Sequence, residues 1–153
     1  IVRTPYGISK YQVQMFIEEK KQWIEKHLKE ISERQMSNKI LSEEERLKGV
    51  QKALCVIPER VEYFAEMMNV TYGRITIREQ KTRWGSCSSK GNLNFNWKLV
   101  LMPEEVLDYV VVHELAHRKE MNHSERFWNH VEKVLPDYQA RRKLLRELEH
   151  RHL

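Results

Sequence analysis

The sequence predicts an α+β fold with N-terminal helices, a short antiparallel sheet, a motif-bearing helix and C-terminal helices. Three observations predict it. Apolar residues (Phe16, Trp23, Ile24, Leu28, Ile31) recur at helical spacing near the start. They alternate in twos from Ile75 to Trp97, and helical texture returns after Glu104.

Each element has a local cause. "IVRTPYGIS" reads as an extended piece and a turn, after which Ser9 can cap a helix to about Arg34. The polar patch "ERQMSNK" breaks it. Ser42 and Glu45 stand at capping-box spacing and open a second helix to Asn69. Pro58 must kink or restart that helix, because proline lacks the N–H and crowds the preceding turn. "GRITIREQ" reads as a strand with Ile75 and Ile77 on one face. "TRWGSCSSKGNLNFNWKLVLM" reads as two more strands around a turn at Ser89-Lys90-Gly91. There Leu93, Phe95 and Trp97 alternate with Asn92, Asn94 and Asn96. Pro103, Glu104 and Glu105 suit the first turn of the motif helix. Ser124 can cap the next helix, Pro136 ends it, and Asp137 can cap a charged last helix.

The chain's 153 residues suffice for one domain, or one domain with a helical arm. No apolar run approaches the ~20 residues of a membrane span. No signal peptide is visible, and the opening at Ile1 without methionine leaves room for an upstream segment. Two cysteines, Cys55 and Cys87, are too few for a disulfide framework and point to a cytoplasmic setting. The net charge of +5 permits an anionic partner without demanding one, since the cations are spread among many glutamates.

The informative stretch is "VVVHELAHRKEMNHSERFW". His113 and His117, four apart on a helix, are about 40° apart around its axis and ~6 Å apart along it. Both imidazoles can therefore hold one Zn2+ ion at ~2.0–2.1 Å, with Glu114 at the edge of that face. Glu114 is placed to take a proton from a zinc-bound water. Chance would give a chain of this composition such a pentapeptide in roughly a few per cent of shuffles, so the surroundings must support it. They do. Val106, Val110, Val112 and Ala116 make the helix apolar, and ionisable groups there need compensation.

His123 cannot reach the same ion on a continuous helix. It can if the chain folds back, and Arg118, Lys119, a left-handed Asn122 and the Ser124 cap supply such an ending. The three histidines would leave the fourth zinc position open, as in catalytic sites. Otherwise His123 is an exposed turn residue, and Glu120, Glu125 or His130 completes the shell.

"TRWGSCSSKGNLNFNWKL", "VVVHELAH" and "NHSERFW" together resemble the YgjP-like family of zinc metallopeptidases, relatives of the SprT-type zincins. The resemblance covers nearly the whole chain, including "KKQWIEKHL", although the family usually carries further N-terminal strands. It implies a small zincin-like metallopeptidase fold; with the chain's organisation, the expectation is that domain over residues 50–153, behind a helical arm over residues 1–49. It also implies His113, His117 and His123 as zinc ligands, Glu114 as general base and a peptide or protein substrate. The histidine spacing also matches the metzincins, but Glu120 stands where they need glycine and no methionine turn follows.

Other residues carry weaker signals. Zincins typically receive substrate on an edge strand, and the stretch from Asn92 to Trp97 is the candidate. Arg83, Trp84, Asn94 and Asn96 are the candidate substrate-binding residues. Trp84, Phe95 and Trp97 read equally as core, and Cys87 as a packed small residue. Arg83 or Tyr138 could serve as a second electrophile. Lys81, Arg83, Lys90 and Lys98 with two tryptophans resemble a single-strand nucleic-acid surface, for which weak electrostatic binding is the expectation; a solvated face is the simpler account. Phe127, Trp128, Val131, Val134 and Leu135 read as core. The function read from these residues is zinc-dependent peptide hydrolysis by an endopeptidase. The alternative is a zinc-stabilised nucleic-acid or protein docking module, which would need neither Glu114 nor an open coordination position.

Overall fold

A computed structural model describes residue 7, residues 9–38 and residues 42–152. The extended piece expected at the start lies outside these, Gly7 and Ser9 apart. The chain divides into two units, Ile1–Ile40 and Leu41–Leu153.

In the first unit, α1 (Lys10–Glu19) opens on Ser9, whose capping box is closed by Gln12. The single helix expected here is interrupted at Lys20, and α2 (Lys21–Asn38) runs on through the polar patch expected to end it. None of the described side chains of this unit is buried.

The second unit starts with α3 (Glu43–Met68), capped by Ser42 and Glu45 as expected. Pro58 neither stops nor restarts it. The carbonyl that loses its partner belongs to Leu54, which is 56% exposed, so water can satisfy it. Ala53, Ile57, Val61, Phe64 and Met68 form the buried stripe of α3. Three strands follow: β1 (Ile75–Arg78), β2 (Gly85–Cys87) and β3 (Leu93–Asn96). Their order is β1-β3-β2. β2 pairs with β3 antiparallel, but β1 pairs with β3 parallel, so the sheet is mixed rather than antiparallel. Alternation fixes which face a strand buries; it does not fix the direction of its neighbour.

A 3-10 turn (Trp97–Leu101) leads into α4 (Glu104–Ala116). α4 is the central element and packs against α3, β2, the 3-10 turn and the two helices that follow it. Val106, Val111, Val112 and Leu115 are fully buried. At roughly 2 kcal/mol each, such burial holds the helix rigidly enough to carry a site. Asp108, near its middle, accepts both bonds of the Arg60 guanidinium at 2.7 Å and 2.7 Å. Arg141 lies 4.0 Å away on the other side. That ion pair ties α4 to α3 and to α6. Two more helices complete the unit, α5 (Glu125–Val134) and α6 (Tyr138–His152). The Asp137 carboxylate accepts from Arg141 at 2.9 Å. No helix among the described residues is long and apolar enough to cross a membrane.

Candidate metal centre

α4 stops at Ala116, and His117 is its C-cap. The N–H groups of Arg118, Lys119 and Glu120 turn back onto Leu115 and Ala116. The chain then reverses, and Ser124 caps α5 by accepting from the Phe127 N–H. The expected fold-back is present, but Asn122 does not take a left-handed conformation, which among non-glycine residues described here belongs to Asn69 alone. Instead the Asn122 side chain accepts from the Ser124 N–H at 3.1 Å, which tightens the turn without positive φ.

The reversal brings His113, His117 and His123 together, with one ring nitrogen of each within 4.8 Å of the others. Nε2 of His113 and Nε2 of His123 are 3.0 Å apart. At that distance one nitrogen donates a proton and the other accepts it, and a cation can replace that proton. The Glu120 carbonyl lies 3.2 Å from His117 Nδ1. A donor role for Nδ1 leaves Nε2 as the ligand atom, the orienting arrangement common behind metal-binding histidines. Burial, reinforced by His117, His123 and Arg142, pushes His113 down to about 3. Burial, then His123, also lowers His117, against the bond from Glu120. Both rings are therefore neutral near pH 7, as metal ligation requires. His113 Nδ1 is buried without a hydrogen-bond partner. Glu120, Glu125 and His130 are not in the cluster.

Phe127 is fully buried under the site, with its ring 4.9, 4.7 and 4.8 Å from those of His113, His117 and His123. Trp128 stacks on His123 at 5.8 Å. The sequence reading took both only as core. The signal available was their place just after the Ser124 cap, which aims the first turn of α5 back at the motif.

Glu114 is 6% exposed and faces β2. Burial pushes it up to about 8, opposed by the charge of Arg83 and by the Cys87 N–H, which donates to it. Its carboxylate fits only because position 85 is glycine: a Cβ there would stand 2.7 Å from Oε1. Arg118 fastens the end of α4 to the turn between β2 and β3. Its guanidinium donates to the Thr71 carbonyl at 2.9 Å and to the Ser89 carbonyl at 3.4 Å. It lies against Gly91, whose φ of +82° favours glycine in any case. The sequence reading saw in Arg118 only a helix-end charge.

Residues 47–148 match the YgjP-like, metallopeptidase domain family. The chain belongs to the YgjP-like metallopeptidase family. Two solved structures resemble this YgjP-like chain. One is the metallopeptidase zymogen abylysin of Pyrococcus abyssi, with 25% identity and a TM-score of 0.55, covering 61% of this chain and 96% of that one. The other is the metallopeptidase zymogen jannalysin of Methanocaldococcus jannaschii, with 26% identity and a TM-score of 0.53, covering 60% and 96%. Curated proteins gave no match. The α+β fold is that of small zincin-like metallopeptidases, as the sequence implied.

The weaker candidates of this YgjP-like chain separate in the structure. β3 is paired on both sides, so it is not the edge strand expected to receive substrate; β2 is an edge and is the strand beside α4. Asn96 is fully buried: its amide donates to the Gln80 carbonyl and its oxygen accepts from the Lys98 N–H. It therefore supports the sheet and offers no surface to substrate. Asn94 is half-buried and donates to Ser86 across the hairpin. Trp84 is 4% exposed and Trp97 2%, so neither can stack on a base. The surface expected to bind single strands lacks its aromatic platform, and Lys98 lies 3.6 Å from Glu79. Arg83 is exposed, and its charge acts on Glu114. Tyr138 stacks on Trp128 at 5.4 Å.

Proposed function

We propose that this metallopeptidase is a zinc-dependent endopeptidase in which His113, His117 and His123 hold the metal and Glu114 is the general base. The observation that carries this reading is the placement of Glu114. It adjoins the three-imidazole cluster on the same helix and is pinned to an edge strand. A site built only for folding has no use for a buried carboxylate there.

The donor set fits zinc: three imidazoles, with no protein group for a fourth position among the described residues. When bound, zinc would polarise the scissile carbonyl, acidify the attacking water and draw Glu114 back to its ionised form. Glu114 takes the proton of that water and passes it to the leaving amine. The Cys87 N–H and the bare backbone of Gly85 keep the carboxylate from swinging away. β2, whose Ser86 pairs with Asn94, leaves the backbone groups of Gly85 and the Cys87 carbonyl on its outer side, the Cys87 N–H being taken by Glu114. An extended peptide would lie along that side, with Arg83 at hand to steady the developing oxyanion. The free thiols of Cys55 and Cys87 suit a reducing, cytoplasmic setting.

The test is metal-dependent cleavage. Purified protein loaded with zinc should cut a denatured protein mixture at internal bonds, as read by mass spectrometry. Chelation should stop cleavage and added zinc restore it. Cleavage that survives complete zinc removal would contradict the proposal.

A further inference from the structure

α6 carries a cationic face to the rim of the histidine cluster. The Arg142 guanidinium lies 4.7 Å over the Trp128 ring, on which Tyr138 also stacks. Trp128 in turn stacks on His123, so one aromatic layer separates the arginine from the candidate metal centre. A cleft of about 210 Å³ opens here between Tyr138, Gln139, Arg142, Lys143 and Arg146. No carboxylate lines it. The charge of both arginines reaches Tyr109, which packs on His113.

The helix does not need this arrangement for its own stability. Arg142 and Arg146 are four residues apart and share a face, where like charges repel. Elsewhere the same helix places a partner at that spacing, as with Lys143 and Glu147 at 4.0 Å. Among the described residues Arg142 and Arg146 form no ion pair. Arg142 over the Trp128 ring, with Arg146 lining the same cleft and neither ion-paired, makes a receptor for a carboxylate, which a guanidinium binds through two parallel bonds.

Building on the peptidase reading, we propose that Arg142 and Arg146, seated beside the Trp128–Tyr138 stack, bind a carboxylate of the peptide substrate. An extended chain advances ~3.3 Å per residue, so the recognised group lies about two or three residues from the cleaved bond. The carboxylate comes from an acidic side chain or from the substrate's C-terminus. Peptides that carry a carboxylate at that distance from the cleaved bond are then the preferred substrate class.

Three fluorescein-labelled dodecapeptides of otherwise identical sequence test this: one with glutamates and an amidated C-terminus, one with glutamines and a free C-terminus, and one with glutamines and an amidated C-terminus. Binding is read by anisotropy on zinc-loaded Glu114→Gln protein, and cleavage on the wild-type chain. The glutamate peptide, or the one with the free terminus, should bind about tenfold tighter than the neutral one, and salt should erode the difference. Which of the two gains identifies the source of the carboxylate. Adding Arg146→Gln or Arg142→Gln should bring the preference close to one, with zinc content retained. Should Arg142→Gln misfold through loss of its stack on Trp128, the exposed Arg146 decides alone. Equal binding of all three peptides, or a preference that survives Arg146→Gln, overturns the inference. Cleavage of all three at equal rates overturns it while leaving the peptidase reading intact. Carboxylate-dependent binding without cleavage of any peptide does the reverse.

Discussion

The carboxylate of Glu114 rests on the backbone of Gly85, so closely that a Cβ would stand 2.7 Å from Oε1 and 2.8 Å from Cγ. Two elements far apart in sequence, the motif helix and the edge strand, thus meet at the group proposed as general base. Gly85→Ala should displace that carboxylate. Because a misplacement near 1 Å can cost about 10²-fold, kcat should fall by 10-fold to 10²-fold while zinc content stays at one per chain. Unchanged kcat would mean that this contact does not position Glu114.

The histidines should differ from one another in their effect on metal content. His113→Ala and His117→Ala remove proposed ligands anchored on the rigid α4, and each variant should lose most of its zinc. His123 sits on the exposed turn before α5, so His123→Ala should weaken binding markedly without abolishing it. Metal analysis after dialysis against a graded chelator series would rank them. If Glu120→Gln costs more zinc than His123→Ala, the third ligand is misassigned.

Asp108 should matter for stability. Its bidentate bond to Arg60 is largely shielded from water, with side-chain exposures of 10% and 25%. Asp108→Ala leaves the Arg60 guanidinium only the exposed Glu104, 3.9 Å away, at a cost of about 3 kcal/mol. Urea denaturation should show a lower midpoint with an unchanged slope. A loss below about 0.5 kcal/mol would place this pair with ordinary surface ion pairs.

The gathering of the three histidines was legible in the sequence because the proposed chemistry dictates spacing. Two histidines four apart must share a helix face, and a third six residues on must have a reversal before it, which Ser124 announced. The capping residues Ser9, Ser42 and Ser124 were legible for the same reason: each acts on a neighbour three residues away. What stayed hidden depends on neighbours distant in sequence. The alternation of Leu93 and Phe95 reported a buried face, but not that β1 would run parallel to it. The same alternation put Asn96 outside, whereas the structure buries it to hold the Gln80 carbonyl and cap the 3-10 turn. Pro58 looked like a break, because nothing local showed that the freed carbonyl would face water. Gly85, Phe127 and Arg118 gain their roles only when α4 meets the hairpin and α5.

Glu114→Gln tests the central claim most directly. Glutamine keeps the shape and burial of the side chain but cannot accept the proton of the attacking water. The variant should hold one zinc per chain and melt close to the wild type, since Glu114 is not proposed as a ligand. Peptide hydrolysis should drop by about 10²-fold to 10⁴-fold, the usual loss when a general base is removed. A variant that cleaves as fast as the wild type, or that loses its zinc and unfolds, would contradict the account.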